Sequence, residues 1–359
     1  MMGNRRLWTV LVGMVLTIAV LCLQKYLVTT PIEVTAQVTA SPVRTSAGPE
    51  ADLPTAPEQQ QFPIPQVDGK TLFAHVQALS FRRYEAPDRA QARQYIVRQL
   101  EATGWKPALQ AFSQGVNIVA QRPGTDPEAG TILVGAHYDT VEQAPGADDN
   151  ASGVAVALEI ARLFGDLPTP RTLQIVLFDR EERGLDGSRA FTASDDRITP
   201  LKGAIIMDMV AYTCQRRGCQ KYPDNPPAEL PSDRGDFLVA VVDQEHAALL
   251  EPFQSKNSQP IANLPGLQGT YQTGNQDLPP LLAVTVPFKG ALTLDLLRSD
   301  HAPFWYRGVG AILLTDTANF RNPNYHQAAD RPGTIDRQFL TQVAQLVVTG
   351  TVNLLSSVR

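Results

Sequence analysis

The chain has 359 residues, 43% of them hydrophobic and 19% charged, with 31 Lys and Arg against 36 Asp and Glu for a formal net charge of -5. That length and apolar share support one large domain or two small ones with a substantial core. A weakly acidic chain lacks a broad positive field for phosphate backbones or anionic lipid, which argues against nucleic acid as a partner.

The first element is an uncharged apolar run, LWTVLVGMVLTIAVLCL, from Leu7 to Leu23. It is close to the roughly 20 residues that span a bilayer. Arg5 and Arg6 precede it and only Lys25 follows closely, so the charge bias places the N-terminus in the cytoplasm and everything after Tyr26 across the membrane. The expected organisation is an uncleaved single-pass anchor over residues 1–27. A cleaved signal peptide is the alternative, but no small-x-small site closes the run, which continues QKYLVTT. Cys22 follows Leu21 rather than a small residue, so it is not in a lipoprotein context.

Residues 28–66 are rich in Pro, Thr, Ala, Gln and Ser and poor in large apolar side chains. They are expected to form a linker that holds a domain of residues 67–359 away from the bilayer. In that domain TLFAHVQAL and DRAQARQYIVRQLEATGW repeat apolar residues at three and four, the helical spacing, and Gly104 can end the second helix. Short β-branched runs follow as VNIVAQ, TILVGAHYD, TLQIVLFD, GAIIMDM, FLVAVV and AILLTD. NASGVAVALEIARLF, between the second and third, is long enough for a crossover helix from Asn150 to Phe164. The pattern predicts an α/β domain with a mostly parallel central sheet covered by helices on both faces. The stretch from Tyr212 to Pro287 shows one clear strand and otherwise reads as loops walling a cleft. Cys214 and Cys219 lie within it; in an exported domain they can form a disulfide, and two free thiols are the alternative.

Carboxylates gather at the strand ends, where open α/β sheets bind ligands. His137 and Asp139 in GAHYDT are two apart and face the same side, so Asp139 can support an imidazole that binds metal, or the pair can be structural. In GADDNASG two adjacent carboxylates enter a helix; Asp149 suits a metal, while Asp148 or Asn150 suits a helix cap. LFDREERGLDGSRAF delivers Glu181 and Glu182 together, as a metallohydrolase needs one ligand carboxylate and one base kept off the metal, although DREER alone resembles a solvated loop. Asp208 interrupts the apolar GAIIMDM and calls for a cation if buried, and His326 in NPNYHQAAD is one of only five histidines. Together His137, Asp149, Glu182, Asp208 and His326 suit two zinc ions with one bridging carboxylate.

In this order, GAHYDT, GADDNASG, EERGLDGS, SDHAPFW and NYH resemble the di-zinc aminopeptidase family, the bacterial leucine aminopeptidase-like enzymes of metallopeptidase clan MH. Glutaminyl cyclases, with a single zinc, are related. The resemblance runs from about Val67 to the C-terminus. It implies that His137 and Asp208 hold one zinc, that Glu182 and His326 hold the other, and that Asp149 bridges. It gives Glu181 the part of general base and Tyr325 that of a carbonyl-polarising tyrosine. Asp300 becomes a supporting residue near the metals, and His301 has no catalytic part. The implied substrates are the N-termini of peptides or proteins. A cyclase, or a non-catalytic ectodomain of the same fold, is the competing reading; cyclases usually carry a longer insertion than EERGLDGS, and binding relatives usually lose ligands.

Overall fold

The computed structural model describes residues 62–222, 232–261 and 268–357. The expected membrane anchor, and the expected linker as far as residue 61, lie outside them.

Helix α1 (Gly69–Leu79) starts where the Asp68 side chain accepts the Lys70 N–H, and it buries Leu72, Phe73, Val76 and Leu79. Helix α2 (Ala86–Ala102) has Pro in its first turn and buries Ala92, Ile96 and Leu100; Gly104, at φ 84°, turns the chain out of it. A hairpin of β1 (Ala108–Phe112) and β2 (Gly115–Arg122) leads to β3 (Thr131–His137), helix α3 (Gly153–Leu163) and β4 (Thr172–Phe178). Two short helices, α4 (Asp186–Thr192) and α5 (Asp195–Ile198), precede β5 (Leu201–Met207). Then come β6 (Leu238–Asp243), β7 (Gln259–Pro260), β8 (Gln268–Gln272), β9 (Leu281–Val286), α6 (Ala302–Tyr306), β10 (Ala311–Thr315) and α7 (Arg337–Ser356).

All ten strands join one sheet in the order β1-β2-β4-β3-β5-β10-β6-β9-β8-β7. Its central block, β4-β3-β5-β10, is parallel. Beyond it β2 and β6 run antiparallel to their inner neighbours, and β6 and β9 are parallel to each other. Every residue of β3 is buried, as a central parallel strand requires. Successive residues serve opposite faces: Ile132 and Val134 pack with α1, α2, α3 and α7, whereas Leu133 packs with Phe191, Ile198, Phe304 and Trp305 from α4, α5 and α6.

Three local expectations change. The regular crossover helix begins at Gly153, not Asn150, because Ala147–Ser152 form a tight turn in which Asp149 and Asn150 have non-helical backbone. The Asn150 Oδ1 there accepts the N–H groups of Gly153 and Met209, and so caps the helix from outside. The stretch 212–287 contributes β7, β8 and β9 besides β6. LLAVTV, hidden behind Pro279 and Pro280, is a buried strand paired along β6. Residues ahead of 67 also meet the domain: Gln345 Nε2 donates to the Pro65 carbonyl, the Val67 N–H donates to Gln345 Oε1, and Phe62 packs on the core.

Among the described residues only α7 has the length and hydropathy of a membrane span, and 72% of its apolar window is buried inside the domain. It is a core helix. Phe178 closes β4 edge-on to Phe191 and near Phe304, just ahead of the turn carrying Glu181. Phe178→Ala should therefore lower unfolding stability by about 3–5 kcal/mol in urea titration; a loss below about 1 kcal/mol would contradict this packing.

Candidate metal centre

The parallel block sets three of the five expected ligands. His137 ends β3, Asp208 follows the last residue of β5, and the chain leaving β4 turns at Arg180, φ 63°, into the short helical turn Glu181–Arg183. Asp149 projects from the tight turn before α3, and His326, at φ 59°, comes from the loop after β10.

All five converge. His137 Nε2 lies 3.4 Å from Asp149 Oδ1 and 3.6 Å from Asp208 Oδ1. His326 Nε2 lies 3.3 Å from Asp149 Oδ2 and 3.0 Å from Glu182 Oε2. The result is two three-residue groups, His137–Asp149–Asp208 and Asp149–Glu182–His326, each with ligand atoms within 4.8 Å of one another. Asp149 belongs to both, one oxygen facing each imidazole. Glu181 belongs to neither and lines the cleft beside them.

Other carboxylates fix this cage through the backbone. Asp139 stands 3.5 Å from His137 Nδ1, a nitrogen that finds no hydrogen-bond partner. Its oxygens instead accept the N–H groups of Glu181 and Glu182, which pins the turn carrying both glutamates. Asp330 accepts the N–H groups of Asp148 and Asp149. Asp148 faces away from the cage and accepts from the Ala211 N–H and the Asn322 side chain. The buried Arg83 guanidinium donates to the carbonyls of Leu79, Phe81, Tyr138, Pro145 and Gly146, tying the two ligand loops together. Asp330, Asn322 and Arg83 carry no motif of their own. Asp330's place four residues after His326 is the one sequence signal that could have marked it.

The donor set fits a divalent metal. Burial pushes Glu181 well above the usual carboxylate range, and burial together with Asp149 raises Glu182 to about 7. Burial also raises Asp149, but hydrogen bonds from His137 and His326 more than offset it and hold that carboxyl below its usual range. Burial opposes charge on the imidazoles, yet Glu181 and the neighbouring Asp residues raise His137 well above its ordinary value; Asp149 and Glu182 raise His326 to about 10. Crowded carboxylates thus draw positive charge to both imidazoles, and mixed N/O donors at this spacing suit zinc. Glu182 Oε1 and both oxygens of the fully buried Asp300 lack hydrogen-bond partners, and burial raises Asp300 to about 7.

A cleft of about 1060 Å³, counting its open mouth, leads to the cage. Val239, Val241, Leu282 and Leu313 form its apolar floor, and Tyr325 and Arg298 stand at its wall. The Tyr325 ring stacks on His326 at 3.7 Å and its hydroxyl accepts from Arg298 Nη2 at 2.9 Å; burial raises its pKa. His301 is buried, bonded through Nε2 to the Leu296 carbonyl, and lowered to about 4 by burial, away from the ligand groups. Cys214 and Cys219 are joined by a disulfide just before Gln220, which lines the cleft. A further grouping, Asp243, Glu245 and His246, sits at the end of β6; Asp243 bonds His246 and Glu245 faces Lys289.

The Peptidase family M28 model matches residues 117–259. The "Uncharacterized protein YfbL" of Escherichia coli is 33% identical over 254 residues, covering 65% of this chain and 69% of that protein. The chain belongs to peptidase family M28. The "Probable lipoprotein aminopeptidase LpqL" of Mycobacterium tuberculosis is 39% identical over 233 residues, 62% of this chain but only 42% of that relative's length. The Legionella pneumophila LapA aminopeptidase has the same fold, with a TM-score of 0.58 at 18% identity over 82% of this chain and 73% of that one. As an M28 member the chain is a metal-dependent peptidase, in keeping with the family its motifs resemble. In this M28 site Asp330 orients a cage carboxylate without entering the cage. Asp330→Ala should lower divalent-metal affinity roughly 10- to 100-fold in competition with a chromogenic chelator; unchanged affinity would count against that part.

Proposed function

We propose that the chain is an aminopeptidase that binds two zinc ions and removes N-terminal residues from peptides. The observation that carries the reading is Asp149, whose two oxygens face separate imidazole-carboxylate pairs. His137 and Asp208 would hold one ion, Glu182 and His326 the other, with Asp149 between them. Zinc, when bound, supplies a Lewis acid that polarises the peptide carbonyl and lets a water lose its proton near neutral pH. Glu181, outside both ligand groups, accepts that proton as the water attacks and passes it to the leaving amine. Tyr325 accepts from Arg298, so its own proton is free to turn toward the carbonyl oxygen. The cleft orients the substrate and excludes bulk water. In support of a peptidase over a glutaminyl cyclase, the Glu181–Arg183 turn runs into α4 at Asp186 with no insertion.

The proposed setting is extracytoplasmic, with residues 1–27 as a single-pass anchor and 28–61 as the tether of a peptidase domain that Phe62 and Pro65 already join. The N-terminal charge bias and the disulfide support it.

Glu181→Gln should keep its zinc and lose roughly 10²- to 10⁴-fold in turnover on leucyl amides. Zinc loss in that variant, measured by metal analysis, would remove Glu181 from the part of base. Glu182→Ala should instead bind less than its full metal complement, and full occupancy would strike it from the ligand set. A glutaminyl peptide cyclised faster than a leucyl peptide is cleaved would transfer the chain to the cyclase reading.

A further inference from the structure

Arg298 lines the cleft, and holding the Tyr325 hydroxyl uses one of its N–H donors but not its charge. Its Nη1 donates to Asn319 Oδ1 and its Nη2 to Tyr325 Oη, both at 2.9 Å. Both partners are neutral. Asp295 Oδ1 forms a long, exposed ion pair with Nη1 at 3.7 Å without a hydrogen bond, and so compensates the charge only weakly. The side chain is 43% exposed and lines the cleft, so the two bonds aim the guanidinium while leaving donors free to meet a ligand. One tyrosine ring lies between it and a cage imidazole. The guanidinium carbon lies 5.7 Å from the Tyr325 ring centre, and that ring is stacked 3.7 Å from His326. A peptide advances about 3.8 Å from one Cα to the next. With a single side chain between imidazole and guanidinium, the carboxylate that matches Arg298 is one on the residue just past the scissile bond. A planar fork of N–H donors is the side chain best matched to a carboxylate.

We propose that Arg298 forms a carboxylate subsite for the residue that follows the scissile bond, which makes dipeptides with a free C-terminus preferred substrates. The proposal rests on the aminopeptidase reading and narrows it. The shared chemistry is a carboxylate, supplied either by the C-terminus of a dipeptide or by an acidic side chain at the second position. On the surrounding wall Lys221 adds a second cation, unpaired among the described residues, and Asp295 repels carboxylates that approach from its side.

The test uses the zinc-loaded full chain with Leu-Gly, Leu-Gly amide and Leu-Asp amide, comparing wild type, Arg298→Gln and Arg298→Lys. Wild type should favour Leu-Gly over Leu-Gly amide roughly 10- to 100-fold in kcat/KM, the size of a charge-assisted hydrogen bond. Arg298→Gln should lower turnover on both substrates through the lost bond to Tyr325 and, beyond that shared loss, raise KM for Leu-Gly so that the Leu-Gly to amide ratio collapses toward one, and Arg298→Lys should restore part of the ratio. Cleavage of Leu-Asp amide above Leu-Gly amide extends the subsite to acidic side chains, and equality assigns it to the C-terminus alone. Equal wild-type rates on Leu-Gly and its amide overturn the proposal and leave the aminopeptidase reading standing. An equal loss on both substrates in Arg298→Gln also overturns it, since Arg298 would then act only through Tyr325. Failure of wild type to cleave any of the three sinks the aminopeptidase reading instead.

Discussion

The structure turns on a concentration of carboxylates that a dry interior cannot hold without cations. Asp149 is 3% exposed and Asp139 2%, and Asp148 and, just ahead of α6, Asp300 are fully buried. Unpaired charge in such surroundings costs several kcal/mol per group or forces the group to neutralise. The chain resolves part of this with protons and N–H donors: Asp148 takes two hydrogen bonds at the back, and Asp330 and Asp139 each take a pair of backbone N–H groups. What remains faces one space, between two imidazoles. A metal held there would take the place of the positive charge that the surrounding carboxylates favour on His137 and His326.

That division explains the local architecture. Asp139 and Asp330 act on main chain, and each anchors the residue that most needs a fixed orientation. Asp139 fixes the start of the Glu181–Glu182 turn, so that one glutamate reaches His326 while its neighbour stays outside both ligand groups. Asp330 fixes the turn at Asp149, whose two oxygens must split between two partners. A hydrogen bond to the backbone tolerates less displacement than one to a mobile side chain, so a shared carboxylate benefits most from it.

The five cage residues were legible because each sits at a strand end or in a short motif with a chemical reason for its composition, and because the set makes sense only together. Asp330, Arg83 and Asn322 were not legible, since a carboxylate that accepts main-chain N–H groups is set by a meeting of distant loops. Asp139 illustrates the limit within a motif: two-residue spacing put it on the face of His137, but the Glu181 and Glu182 amides claim its oxygens. The fold was readable where strands are long and buried, as in TILVGAH, and failed where prolines and polar residues frame a strand, as at LLAVTV. There burial comes from pairing along β6, which no local pattern reports.

The reversal of strand direction between β10 and β6 links the two halves of the site. In the parallel block every strand points its C-terminal end at the cage, and β10 lines the cleft through Leu313 and Thr315. Beside β10, antiparallel β6 brings its first residues to that same end: Val239 pairs with Thr315 and Val241 with Leu313. β9, parallel to β6, continues the row by setting Leu282 beside Val239. Thr315, Val239 and Leu282 therefore form a transverse strip that floors the cleft next to the ligands. The stretch 212–287 thus does more than wall the cleft with loops; its strands carry the cleft's apolar floor. A floor of aliphatic side chains separates such residues by only about 1–3 kcal/mol per methylene, so sharper selection in this cleft has to come from its polar wall.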